Sequence, residues 1–70
     1  MASPLTGNVL RVLVSEGDLV EAGQTVAVLE SMKMEFPAQA VSAGVVRSVR
    51  CRQGAVAQGG QWLAWIEVSG

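Results

Sequence analysis

The chain has no histidine and no tyrosine, one cysteine, one lysine and three aromatic residues among its 70 positions. Without histidine, and with Cys51 set in an apolar, strand-like run, the usual pairs of general base and nucleophile cannot be assembled. Catalysis by this chain alone is therefore not expected. The same scarcity leaves no Cys/His cluster for a metal site. A lone cysteine cannot close an internal disulfide, so a reduced, buried thiol in a cytoplasmic setting is the expectation.

Basic excess is missing too. The formal net charge is −1, whereas nucleic-acid binders carry a Lys/Arg surplus or stripe, so DNA and RNA are not expected partners. No apolar run approaches the roughly 20 residues of a membrane helix. The opening "MASPLTGN" has neither the basic head nor the apolar stretch of a signal peptide.

What the chain does have is a repeat. Slid by 37 positions, "GNVLRVLVSEGDLVEAGQTVAVLE" from Gly7 aligns without a gap on "GVVRSVRCRQGAVAQGGQWLAWIE" from Gly44. Gly7, Gly17 and Gly23 meet Gly44, Gly54 and Gly60, and Gln24, Ala27 and Glu30 meet Gln61, Ala64 and Glu67. The reading is one domain, residues 1–70, built of halves at about 1–33 and 34–70. Short Val- and Ile-rich runs punctuated by glycine, with no sustained 3.6-residue period, predict an all-β fold. Two similar halves imply two antiparallel sheets around one core, related by a pseudo-twofold axis.

Positions apolar in both copies are the core candidates: Val9/Val46, Val12/Val49, Val14/Cys51, Val26/Leu63 and Leu29/Ile66. Mixed positions, Leu10/Arg47 and Leu13/Arg50, are assigned to the rim. The shared glycines are expected at positive-φ turns. Trp65 aligns with Val28 and is assigned to the core; Trp62 aligns with Thr25 and is expected on the surface, capping the fold or touching a partner. Arg47, Arg50 and Arg52 read as a solvated strand face, with a docking patch for an acidic surface as the alternative. Acids gather in the first half and arginines in the second, so charge pairing between halves is a further expectation.

The join of the halves is "ESMKMEF", a hairpin with Met32 and Lys33 at its tip. Tight hairpins favour Asn-Gly or Asp-Gly, and Met and Lys incur a steric penalty there, so turn propensity did not choose them. A unique amine on a rigid tip is a target for acylation, and flexible, polarizable methionines beside it are an apolar handle for the acylating enzyme. The plain structural reading is a solvated tip charge with methionines folded back as local packing.

With "SPLTG" upstream and the paired glycine turns, "ESMKME" resembles the biotinyl domain of biotin-dependent carboxylases, within the biotin/lipoyl attachment family. The resemblance runs from Ser3 to Val68. It implies a flattened β-barrel or sandwich of two four-stranded antiparallel sheets, with covalent biotin as the cofactor. Lys33 matches the biotinylated lysine, and Met32 and Met34 match methionines recognised by biotin protein ligase. Glu30 and Glu35 match acidic flanks, while Ser31 stands where alanine is commoner. Leu5 and Thr6 depart from the usual opening motif, and only Met1 and Ala2 precede it, so the first strand is expected to be short or frayed.

What the resemblance implies for function is a non-catalytic carrier, monomeric as an isolated domain. A biotin protein ligase loads Lys33, a biotin carboxylase subunit puts CO2 on the tethered ring, and a carboxyltransferase subunit removes it. If Glu30 and Glu35 lie close in space they work against spontaneous attack by the amine, so activation falls to the ligase. Two rivals stand beside this reading. One is a lipoyl-type carrier, whose usual turn is Asp-Lys-Ala; the other is an unmodified β-barrel interaction module.

Overall fold

β-Branched and apolar residues at alternating positions set the first strand, β1 (Gly7–Val12), whose Val9 side chain points inward while Asn8 and Arg11 face solvent. The computed structural model describes residues 1–68 and adds β2 (Leu19–Val20), β3 (Thr25–Ser31), β4 (Met34–Gln39), β5 (Gly44–Val49), β6 (Val56–Ala57) and β7 (Ala64–Val68). Ser69 and Gly70, the end of the expected second half, lie outside the described residues. Every strand pair is antiparallel, in one sheet of order β4-β3-β1-β6 and another of order β2-β5-β7.

The offset of 37 runs through the backbone. It carries β1 onto β5 and β2 onto β6, residue for residue. It also carries the register irregularity after Val9 onto the one after Val46. Each half lends a short strand to the other's sheet: β2 pairs with β5, and β6 pairs with β1.

Two core clusters are copies of each other. One gathers Val9, Ala27, Leu29, Cys51 and Leu63; the other gathers Val46, Ala64, Val14 and Val26, with Ile66 half-buried against it. Of the core candidates, Val12, Val49 and Ile66 are half-buried and the rest are buried. Leu13, Arg47 and Arg50 are exposed, as assigned to the rim, and Leu10 is half-buried.

Three expectations need correction. Among the described residues the second sheet has three strands rather than four, and Ala2 meets Trp62 only in an isolated bridge; the result is a flattened sandwich. Trp65 is exposed, since its neighbours Ala64 and Ile66 take the inward face and strand alternation turns the indole outward. Finally, Gly17, Gly23, Gly54 and Gly60 have positive φ, but Gly7 and Gly44 do not. These two are strand residues against which the Glu30 and Glu67 carbonyls pack, in the space a Cβ would fill.

That close approach yields a prediction. Gly44→Ala drives a methyl into backbone that cannot swing away, and is expected to cost roughly 1–3 kcal/mol, read as a lower urea midpoint at unchanged slope.

Cys51 is a buried free thiol. Burial pushes its pKa up, against a weaker opposing pull from its own backbone N–H. The unfolded thiol ionises near its ordinary 9.0, while the folded one keeps its proton to higher pH. Unfolding therefore releases a proton only above that value, so the thiol's contribution to stability is constant below pH 9.0 and falls as pH rises beyond it. Cys51→Val should flatten that alkaline limb in urea titrations.

Candidate functional site

The sequence places alternating residues on β3 so that Leu29 is fully buried while Glu30 and Ser31 turn toward the rim. Leu29 pairs with half-buried Phe36, Glu30 with Glu35 and Ser31 with Met34 across the β3–β4 hairpin. Two residues, Met32 and Lys33, make the turn, with φ of 52° and 65°. Positive φ at both central positions is the type I′ pattern, which matches the right-handed twist of the flanking strands. Neither residue is glycine or asparagine, so the tip holds conformational strain of the kind that gathers at functional sites.

β1 supports this hairpin only as far as its base. Asn8 pairs with Glu30 and Val9 with Leu29, and the missing side chain of Gly7 lets the Glu30 carbonyl settle against β1. Ser31 to Met34 extend past the last β1 partner. Met32 is 91% exposed and Met34 60%, and Lys33 and Glu35 are exposed. Thioethers this exposed are unusual, because methionine normally fills core gaps. The structural reading in which the methionines fold back as local packing is therefore not what the hairpin shows.

Lys33, Met32, Met34, Glu30, Ser31 and Glu35, the residues singled out from the sequence, thus sit together on one tip. Glu30 and Glu35 stand directly opposite each other, an unfavourable pairing of like charges. Lys33 bonds to neither, since the one ion pair among the described residues joins Arg47 and Glu67 at 2.6 Å. Both partners of that pair are more than half exposed and both belong to the second half, so the expected pairing between halves is not seen and the contribution is small.

Chemically, the tip offers one primary amine, solvated and unobstructed. Two surface grooves lie elsewhere, against Trp62 and Trp65, and neither Met32 nor Lys33 lines them. An amine displayed on a convex tip suits a reaction performed by a second protein that closes over it. A covalently attached acyl group fits the site, because nothing has to move to admit it.

Two features escaped the sequence reading. The packing role of Gly7 and Gly44 left no mark that separates it from a turn glycine. The outward Trp65 did leave one, for its copy Val28 lies between the buried Ala27 and Leu29.

Known proteins place this geometry in context. The sequence profile of a biotin/lipoyl family described as "Biotin-requiring enzyme" matches residues 1–66. A "Biotinylated protein TB7.3 homolog" of Mycobacterium leprae is 45% identical over 62 residues, covering 89% of this chain and 87% of that one. A "Biotin/lipoyl attachment protein" of Bacillus subtilis is 48% identical over 50 residues, 71% and 68% of the two chains. Among solved structures, the urea carboxylase of Kluyveromyces lactis superposes with a TM-score of 0.87 at 32% identity; the match covers 94% of this chain and 6% of that enzyme. With a profile that takes in both halves and the Met-Lys-Met turn between them, the chain belongs to the biotin/lipoyl attachment family.

Proposed function

We propose that this protein is a biotin carboxyl carrier in which Lys33 holds biotin in amide linkage. The observation that carries the reading is the tip itself. The sole lysine of the chain stands on a strained two-residue turn beyond the end of β1, between two exposed methionines. Similarity to a biotinylated protein and to a carboxylase supports biotin over lipoate.

Loading requires an activated acyl donor, which a biotin protein ligase supplies as an acyl adenylate. The neutral Nζ of Lys33 attacks the acyl carbon, the bond to the adenylate oxygen breaks, AMP leaves and the amine gives up a proton. Met32 and Met34 present the apolar surface that the ligase grips, with Ser31 small enough to let it approach and Glu30 and Glu35 marking the flanks. Lys33 has no ion pair among the described residues, and carboxylates such as Glu30 and Glu35 favour the charged ammonium, so deprotonation of the amine is the ligase's task.

When bound, biotin supplies a ureido ring that takes up CO2. The chain's own contribution is positional. A rigid hairpin holds the tether clear of the sandwich, so that a biotin carboxylase and a carboxyltransferase each meet it at high effective concentration. The carrier itself is monomeric, non-catalytic and cytoplasmic, a setting that suits the reduced, buried Cys51.

Two parallel incubations test this. One pairs the chain with a biotin ligase, biotin and ATP; the other pairs it with a lipoate ligase, lipoate and ATP. A single biotinyl increment in the first and no increment in the second is expected by intact mass. Lipoyl uptake without biotin would overturn the reading in favour of the lipoyl-type carrier, and no uptake in either would leave an interaction module.

A further inference from the structure

Solvent reaches both sulfurs that flank Lys33. Between Glu30 and Glu35 the only apolar side chains are Met32 and Met34, and exposures of 91% and 60% leave both residues largely in water. Met34 pairs with Ser31, beyond the last partner that β1 offers, so no third strand flanks either residue. The remaining methionine, Met1, is half-buried against both core clusters. Cys51, the one other sulfur, is buried, and burial keeps its thiol protonated to higher pH. It therefore lacks the exposed thiolate on which peroxides act.

Addition of one oxygen turns a methionine side chain from flexible and apolar into polar. In a core that change disrupts packing. At this tip there is little packing to lose, so folding is spared and the change falls on whatever binds the tip. The Lys33 amine keeps its own chemistry, because no atom of it is altered. What the turn loses is its apolar surface, since Glu30, Ser31, Lys33 and Glu35 are all polar.

We propose that Met32 and Met34 are oxidation sites that switch the loading of Lys33: a sulfoxide at either position suppresses biotin attachment and leaves the fold intact. The inference rests on the ligase reading of the tip. The oxidant is hydrogen peroxide. The sulfur lone pair attacks one peroxide oxygen, the O–O bond breaks, and the proton on the transferred oxygen passes to the departing hydroxide to give water. Sulfur is oxidised by two electrons and the peroxide is reduced by two. Met32, the more exposed, reacts first. The new sulfoxide oxygen requires a hydrogen-bond donor that an apolar ligase surface does not offer. A thiol-dependent methionine sulfoxide reductase reverses the step, as two thiols become a disulfide and the oxygen leaves as water.

The test treats the unloaded chain with hydrogen peroxide, removes the peroxide, and then supplies a biotin ligase, biotin and ATP. Trypsin cuts after Arg11, Lys33 and Arg47, which puts Met1, Met32 and Met34 on separate peptides. Oxygen is expected on Met32 and Met34 before Met1. The loading rate at low chain concentration should fall about tenfold, as burial of an unpartnered polar group implies, at an unchanged urea midpoint. Reductases for both sulfoxide epimers should restore it. In the double variant Met32→Leu, Met34→Leu, whatever its own rate, treated and untreated chains should load alike. An oxidised tip that loads at the untreated rate would overturn the inference, as would a loss that persists in the leucine variant or resists the reductases. An untreated chain that takes no biotin would overturn the carrier reading itself, and this inference with it.

Discussion

Lys33→Arg, co-expressed with a biotin ligase, is expected to gain no biotinyl mass, while the parent chain gains one increment. The effect is all or none because the chain has no other lysine. Arginine keeps the charge and nearly the length, but its guanidinium is never a neutral nucleophile at working pH. Since the tip is solvated and Lys33 makes no ion pair, the variant should melt within about 0.5 kcal/mol of the parent, as surface changes do. Biotin on the arginine variant would show that the attachment point had been misplaced.

The neighbouring position separates recognition from attachment. Met32 has φ of 52°, and asparagine tolerates that region better than methionine. Met32→Asn is therefore expected to raise stability by about 1 kcal/mol while slowing loading by the ligase. Stability and loading moving in opposite directions would identify the turn as a place where folding gave way to function. A faster-loading Met32→Asn chain would remove the methionines from the recognition reading.

Leu63→Ala and Leu29→Ala are expected to be the most damaging substitutions to the fold. Both side chains are fully buried, and leucine-to-alanine changes in such sites cost roughly 2–5 kcal/mol through lost transfer energy and the cavity left behind. A chain of this size holds in total only roughly 4–10 kcal/mol, so either variant would sit near the edge of unfolding at room temperature. Leu13→Ala is the control: that side chain is 52% exposed and should change stability by less than about 0.5 kcal/mol. Urea denaturation of the three variants checks the ranking. Equal losses in all three would mean that the two buried leucines do not anchor the core.

The repeat made most of this legible in advance. Three glycine pairs in one register located both halves, and the join between them could only be the stretch that holds Lys33. Residues apolar in both copies, such as Val9/Val46 and Val26/Leu63, are buried because the pseudo-twofold gives each pair one environment. The comparison failed where the copies differ in what lies next to them. Trp65 follows Val28 in register but has no fourth strand beside it, and an indole left on an open edge stays in solvent. Gly7 and Gly44 misled in another way, since a sequence does not distinguish a glycine needed for its dihedral from one needed for its bareness.

The exchange of β2 and β6 between the sheets also bears on the order in which the chain can take shape during its synthesis. One edge of β1 can pair with β3 early, but its other edge must wait for β6, as Gly7 pairs with Ala57, and β2 must wait for β5, as Leu19 pairs with Val45. Such distant pairings are slow to close and leave strands without neighbours meanwhile. The hairpin that carries Lys33 needs only Thr25 to Gln39. On a ribosome it can exist before β6 has been made, so the tip can be in place while the sandwich that will hold it steady is still unbuilt.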